Sequence, residues 1–136
     1  MTVFDASVIV KTLTEEPLSA NAILSVASEP HAVAPDILTF EVASALSKKG
    51  RYFDLPREKI DDALAALPDM VSEQVASTFL LDKAMSLALE LKHAFYDCLY
   101  LALAEDRDCD LVTADQKFAA VVTASRYAKR IRLLTE

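Results

Sequence analysis

The chain has 136 residues, 53% of them hydrophobic and 26% charged, a balance typical of a folded domain and not of a disordered chain. Its net charge of −7 argues against a protein that coats nucleic acid by bulk electrostatic attraction. A single glycine, Gly50, excludes a phosphate-binding glycine loop, and two cysteines, Cys98 and Cys109, are too few for a disulfide framework. We therefore expect one domain, spanning residues 1–136, with one core.

The first half of the chain alternates between short apolar runs and apolar residues at helical spacing. In chain order this pattern predicts a strand, two helices, a strand and two helices, at residues 2–5, 7–13, 18–28, 31–34, 35–46 and 56–67. The third helix should end at Lys48, Lys49 and Gly50, where basic side chains would meet the negative end of the helix dipole. The fourth should begin at Pro56 and end before Pro68.

The second half continues the alternation. It predicts a weak strand, two long helices, a strand, a short helix and a final strand, at residues 70–75, 77–92, 95–105, 111–113, 115–122 and 131–134. Such an order predicts an α/β fold with a mainly parallel sheet of about five short strands, flanked by helices. No stretch approaches the length of a membrane span and no signal-peptide pattern is present, so we expect a cytoplasmic protein without membrane contact.

Four carboxylates, Asp5, Glu41, Asp97 and Asp115, lie where apolar segments end or turn. Asp5 lies at the end of one predicted strand and Asp115 closely follows another, and ligands of parallel sheets bind beyond the carboxyl ends of the strands. Glu41 and Asp97 lie within helical apolar patterns, where a buried charge is costly without a partner. Oxygen ligands from distant segments suit a divalent cation, so these acids predict a metal pocket.

Four motifs carry a family resemblance: DASVIVK, EVASAL, YDCLYLALA and LVTAD, at residues 5–11, 41–46, 96–104 and 111–115. In this order they resemble the PIN domain family, specifically the VapC-type toxin ribonucleases, and the resemblance runs from residue 1 to about residue 134. It implies a single-domain PIN-like fold and a metal-dependent endoribonuclease. The acids at the matching catalytic positions are Asp5, Glu41, Asp97 and Asp115.

The resemblance also implies the metal chemistry. Asp5, Asp97 and Asp115 would bind Mg²⁺ or Mn²⁺, directly or through water, and Glu41 would be a further ligand or would orient the attacking water. No second acid closely follows Asp115, so one metal site is expected and a second is left open. Bound divalent ions would add positive charge locally, so the acidic net charge does not exclude an RNA substrate.

Several polar side chains near these motifs have two interpretations. Ser7 and Thr113 match hydroxyl positions of the family that hold a water or a carboxylate, and capping a helix or ending a strand is an alternative of equal weight. Candidate RNA contacts are Lys11, Lys48, Lys49 and Arg51, although a solvated side chain is the favoured interpretation of Lys11. His93 is four residues before Asp97, and we favour a helix-start or surface histidine.

The resemblance implies the toxin half of a bacterial type II toxin–antitoxin pair, which cleaves RNA, forms a homodimer and is blocked by its antitoxin protein. One alternative is a PIN-like RNA- or protein-binding module without turnover, although the presence of all four acids disfavours a decayed site. Another is an aspartate-dependent phosphotransferase with Asp5 as nucleophile. That chemistry usually requires a second acid at position 7, where this chain has Ser7.

Overall fold

Five parallel strands form the centre of the molecule, in a computed structural model that describes residues 1–135. They are β1 (Thr2–Phe4), β2 (Ala32–Pro35), β3 (Glu73–Val75), β4 (Asp110–Thr113) and β5 (Ile131–Leu133). Their order in the sheet is β3-β2-β1-β4-β5, and every neighbouring pair is parallel. The α/β prediction and the five short strands are therefore confirmed. All strands end at one edge of the sheet, here called the carboxyl edge.

Helices connect the strands. Within residues 1–135 they are α1 (Ala6–Leu13), α2 (Ser19–Ala27), α3 (Ile37–Tyr52), α4 (Arg57–Met70), α5 (Leu81–Leu91), α6 (Phe95–Arg107) and α7 (Gln116–Thr123). Short 3₁₀ turns, Ser77–Leu80 and Ala128–Arg130, precede α5 and β5. None of the helices in this part of the chain is both long enough and apolar enough to cross a membrane.

Helix α6 lies at the core, because every residue from 98 to 104 is buried. This run contains only apolar side chains and Tyr100, and the helix packs on β1, β2 and β4. Cys98 is one of the fully buried residues, as expected of a small hydrophobe. Helix α6 ends just before β4 begins, at the opposite edge of the sheet, so its first turn, which contains Asp97, lies toward the carboxyl edge.

Three predicted helix boundaries were wrong. Helix α3 continues through Gly50 to Tyr52, because Gly50 takes no left-handed backbone conformation that would end the helix. Helix α4 includes Pro68 in its last turn and still closes with a bond from Val71 N–H to the Leu67 carbonyl. The helix predicted for residues 77–92 is divided into a 3₁₀ turn and α5.

Candidate active site

Asp5 lies in the turn between β1 and α1 and is only 6% exposed. Its backbone N–H donates to the Val112 carbonyl of β4 at 3.2 Å, which fixes the turn beside the neighbouring strand. Its carboxylate accepts the Val8 N–H at 3.3 Å, so Asp5, and not Ser7, caps α1. Burial raises the pKa of the Asp5 carboxyl to about 6, although the hydrogen bonds that it accepts oppose this rise.

Two hydroxyl groups hold the Asp5 carboxylate. Ser7 Oγ–H donates to one carboxylate oxygen and Thr113 Oγ1–H donates to the other, each at 2.5 Å. The Ser7 oxygen also accepts the Ala114 N–H at 2.9 Å, and the Thr113 oxygen accepts the Asp115 N–H at 3.1 Å. This network joins the start of α1 to the turn between β4 and α7.

Glu41 lies on α3 and is partly buried. The hydroxyl of Tyr100, a side chain only 1% exposed, donates to Glu41 Oε1 at 2.6 Å. Burial raises the pKa of Glu41, the Tyr100 hydrogen bond opposes the rise, and the charge of Asp97 adds to it. Tyr100, three residues after Asp97 on the same helix face, was not identified from the sequence.

Asp97 lies in the first turn of α6 and bonds to a histidine. His93 Nε2 lies 2.7 Å from Asp97 Oδ2, and because a carboxylate only accepts, the nitrogen is the donor. The side chain of His93 is 10% exposed, and its ring stacks on Phe118 with centroids 4.9 Å apart. His93 therefore lies at the start of α6, as one sequence interpretation predicted, but its side chain is not on the surface.

Asp97 couples electrostatically to both Asp5 and Glu41. The charge of Asp97 raises the pKa of both Asp5 and Glu41. The charges of all three acids also act on the Tyr100 hydroxyl. Burial, and then the charges of Glu41, Asp5 and Asp97, raise the pKa of Tyr100 far above its usual range. Side chains from the turn after β1, from α3 and from α6 thus converge at the carboxyl edge. Hereafter these three residues are called the acidic cluster.

Asp115 is placed differently from the acidic cluster. Its carboxylate accepts the Phe118 N–H at 3.0 Å and so caps α7. Its backbone, through the bond to Thr113, belongs to the network around Asp5. The structure therefore brings the backbone of Asp115 to the site, while its carboxylate serves the first turn of α7.

The carboxylate oxygens of the site are suitable ligands for a divalent cation such as Mg²⁺. Among residues 1–135, no lysine or arginine forms an ion pair with Asp5, Glu41, Asp97 or Asp115. The three acids of the acidic cluster, which have no lysine or arginine partner among these residues, present the ligand type and charge that Mg²⁺ or Mn²⁺ prefers. In the same part of the chain, no three Asp, Glu, His or Cys side chains lie close enough to hold one ion as they stand. An ion bound here would keep part of its water shell, as Mg²⁺ usually does in proteins.

A cleft of about 340 Å³ adjoins the acidic cluster, and Ser7, Glu41, Lys11 and Glu16 contribute to its wall. Lys11 Nζ pairs with one oxygen of Glu16 at 2.9 Å, and Lys49 Nζ pairs with the other at 3.2 Å. These two lysines therefore meet at one carboxylate beside the cleft. Of the other predicted RNA contacts, Lys48 is exposed and the guanidinium of Arg51 lies over the ring of Tyr52.

Comparisons with known proteins support a relationship over most of the chain. The family model of the PIN domain matches residues 2–123. Ribonuclease VapC1 from two strains of Mycobacterium tuberculosis, CDC 1551 and H37Rv, is 31% identical over 120 residues, which cover 87% of this chain and 88% of the relative.

Two solved structures share the fold. A toxin–antitoxin complex from Klebsiella pneumoniae matches with a TM-score of 0.71 and 16% identity, over 100% of this chain and 99% of the other. VapC20 from M. tuberculosis, a toxin that cleaves the sarcin–ricin loop, matches with a TM-score of 0.69 and 16% identity, over 88% of this chain and 94% of the other.

Proposed function

The chain belongs to the PIN domain family, and from that membership we propose that it is a metal-dependent endoribonuclease, the toxin of a toxin–antitoxin pair. The observation that carries the proposal is the acidic cluster, which lies without lysine or arginine partners among residues 1–135 beside an open cleft. The 31% identity to a ribonuclease over 88% of its length supports the same activity. A decayed binding module would not need to keep buried acids that repel one another.

We propose Asp5, Glu41, Asp97 and Asp115 as the catalytic residues. A bound Mg²⁺ or Mn²⁺ would activate a water for attack on the phosphodiester and offset charge on the phosphate. Asp5 and Asp97 would hold the ion, and Ser7 and Thr113 fix both oxygens of the Asp5 carboxylate for that task. The Tyr100 hydroxyl binds one oxygen of Glu41 and leaves the other to bind the ion or to orient the water.

Asp115 contributes to the proposed site in a different way from the acidic cluster. As the cap of α7, its carboxylate is tied to the Phe118 N–H through one oxygen. We propose that Asp115 contacts the ion through water, since Mg²⁺ usually keeps several waters in proteins. We therefore expect the site to hold one ion. Within residues 1–135, too few acids lie near it to support a second ion.

The proposal is tested by incubating the purified protein with RNA and either Mg²⁺ or Mn²⁺. RNA fragments are expected with the ion and none with a chelator in excess. A protein that cuts no RNA under any of these conditions would contradict the proposal.

We further propose that Lys11 contacts an RNA phosphate in the cleft, with Lys49 beside it. Lys11 shares the cleft wall with Ser7 and Glu41, so an RNA phosphate bound in this cleft would lie near its ammonium group. Glu16 pairs with both lysines in the free protein, its single charge leaves one positive charge over, and a phosphate would compete with it for them. Lys48 and Arg51 lie on α3, as Lys49 does, and would guide RNA from farther away.

Lys11→Ala should weaken RNA binding by about three- to tenfold and lower the slope of log affinity against log salt by about 1, because one phosphate contact is lost. The measurement is a binding titration at several salt concentrations in the presence of a chelator, so that RNA stays intact. Lys129→Ala is the matched control, since Lys129 precedes β5 and lies at the opposite edge of the sheet. An equal loss in both variants would contradict a specific contact.

A cognate antitoxin and a second copy of the chain are the proposed protein partners. Support comes from large apolar side chains that are more than 60% exposed, namely Leu24, Phe40, Tyr52, Phe53, Phe79 and Leu89. These side chains are available for contacts with another protein, and the likeness to a toxin–antitoxin complex supports the antitoxin as one partner. The mass of the purified protein in solution, alone and after co-expression with its antitoxin, tests both partners.

A further inference from the structure

His93 lies in the turn between α5 and α6, and its backbone is held there independently of its side chain. Lys92 adopts a left-handed conformation with φ of 52°, and the His93 N–H bonds to the Ala88 carbonyl at 3.2 Å. This pattern closes the C-terminus of α5 and sets the entry into α6. The histidine therefore reaches Asp97 from a defined turn, outside the helix that carries the acid.

The side chain of His93 is held on two sides. Its ring stacks on Phe118 of α7, with an angle of 18° between the planes, and its Nε2–H donates to Asp97 Oδ2. Phe118 is fully buried, and its own backbone N–H is the group capped by Asp115. A single chain of contacts thus runs from the capped start of α7 through Phe118 and His93 to Asp97.

We infer that His93 is a positioning residue for the divalent-ion site, because it fixes the rotamer of Asp97 and leaves the second carboxylate oxygen for the ion. The inference rests on the proposed function. Nε2 carries a hydrogen that points at Asp97, so this nitrogen is not itself a ligand. Partners that orient the first ligands typically change metal affinity by about 10–100-fold when they are removed.

The experiment measures Mn²⁺ affinity by calorimetry, without RNA, for the intact protein and its variants. His93→Ala should bind Mn²⁺ about 10–100-fold more weakly than wild type. His31→Ala is the matched control and should stay within about threefold of wild type, because His31 pairs with Glu73 beside the start of β2, at the opposite edge of the sheet.

Two further variants separate positioning from packing. In His93→Gln the amide nitrogen is three bonds from Cβ, as Nε2 is in histidine, so it can donate to Asp97 and should restore affinity to within about threefold of wild type. In His93→Asn the amide nitrogen is one bond too short, so affinity should remain as low as in His93→Ala. This comparison holds even if His93→Ala fails to fold.

The Mn²⁺ affinities of these variants decide whether His93 positions Asp97. Equal Mn²⁺ affinity in the His93→Gln and His93→Asn variants, or wild-type affinity in a folded His93→Ala variant, would overturn the positioning role while the proposed nuclease stands. Wild-type protein that binds no Mn²⁺ would overturn the proposed function, and this inference with it. Weak binding in His93→Ala and His93→Asn, with recovery in His93→Gln, supports both.

Discussion

Asp97→Asn is expected to lower RNA cleavage on the order of 10³-fold or more, the range found when one member of a catalytic set is removed. The acid lies at the centre of the site, since its charge acts on both Asp5 and Glu41. The change removes a charged oxygen ligand with little change in volume, and the new amide oxygen can still accept from His93 Nε2. Initial rates of RNA cleavage with saturating Mn²⁺, together with thermal unfolding of each variant, provide the measurement.

Asp110→Asn is the matched control for this loss. Asp110 begins β4, at the end of the strand away from the site, and pairs with Arg132. This exposed pair contributes little to stability, so the variant should cut RNA at close to the wild-type rate. Cleavage by a folded Asp97→Asn variant at a rate similar to that of Asp110→Asn would exclude Asp97 from the chemistry.

The metal-free protein should become more stable as the pH falls from 7 to 5. The pKa of Asp5 is about 6 in the folded state and 3.8 as an ordinary group, so between these values the folded state binds more protons than the unfolded state. The free energy of unfolding therefore decreases as the pH rises through this window. For this group alone the difference between pH 5 and pH 7 is about 1 kcal/mol, and the full cost of the charged form at high pH is about 3 kcal/mol.

The Asp5→Asn variant isolates the contribution of Asp5 to the pH dependence of stability. Titratable groups far from Asp5 contribute equally to the variant and to wild type. The variant should lose most of the wild-type dependence on pH between 5 and 7 and be at least as stable as wild type at pH 7. A smaller dependence remains because burial also raises the pKa of Glu41. Urea unfolding in the presence of a chelator measures both proteins, and identical pH profiles would contradict a costly buried charge at Asp5.

Most of the fold could be predicted because the central strands β1, β2 and β4 are mostly apolar and the helices carry strong apolar spacing. The errors lie at helix ends, where local signals compete. Gly50 and its basic neighbours resemble a helix end, yet α3 continues to Tyr52. Pro68 resembles a stop, yet a proline near the end of a helix removes only one bond there, and α4 continues to Met70.

The candidate site could be predicted only in part. Topology alone brings Asp5 and Asp115 to one edge of the sheet, whereas Glu41 and Asp97 were added by their motifs. The helix-capping role of the Asp115 carboxylate depends on the backbone of α7, which no spacing reveals. Tyr100 was missed because its partner, Glu41, is 59 residues away along the chain. The four-residue spacing between His93 and Asp97 was noted, but the packing of the His93 ring on α7 has no signal in the sequence.

The most direct test of the account is metal-dependent cleavage in one sample of purified wild-type protein and RNA. We predict fragments with Mn²⁺, no cleavage once a chelator is added in excess, and renewed cleavage when Mn²⁺ is restored above the chelator. The Asp97→Asn variant should remain inactive throughout, which excludes a contaminating nuclease. Cleavage that persists in the chelator, or that Asp97→Asn performs at the wild-type rate, would contradict a metal-dependent nuclease centred on the acidic cluster.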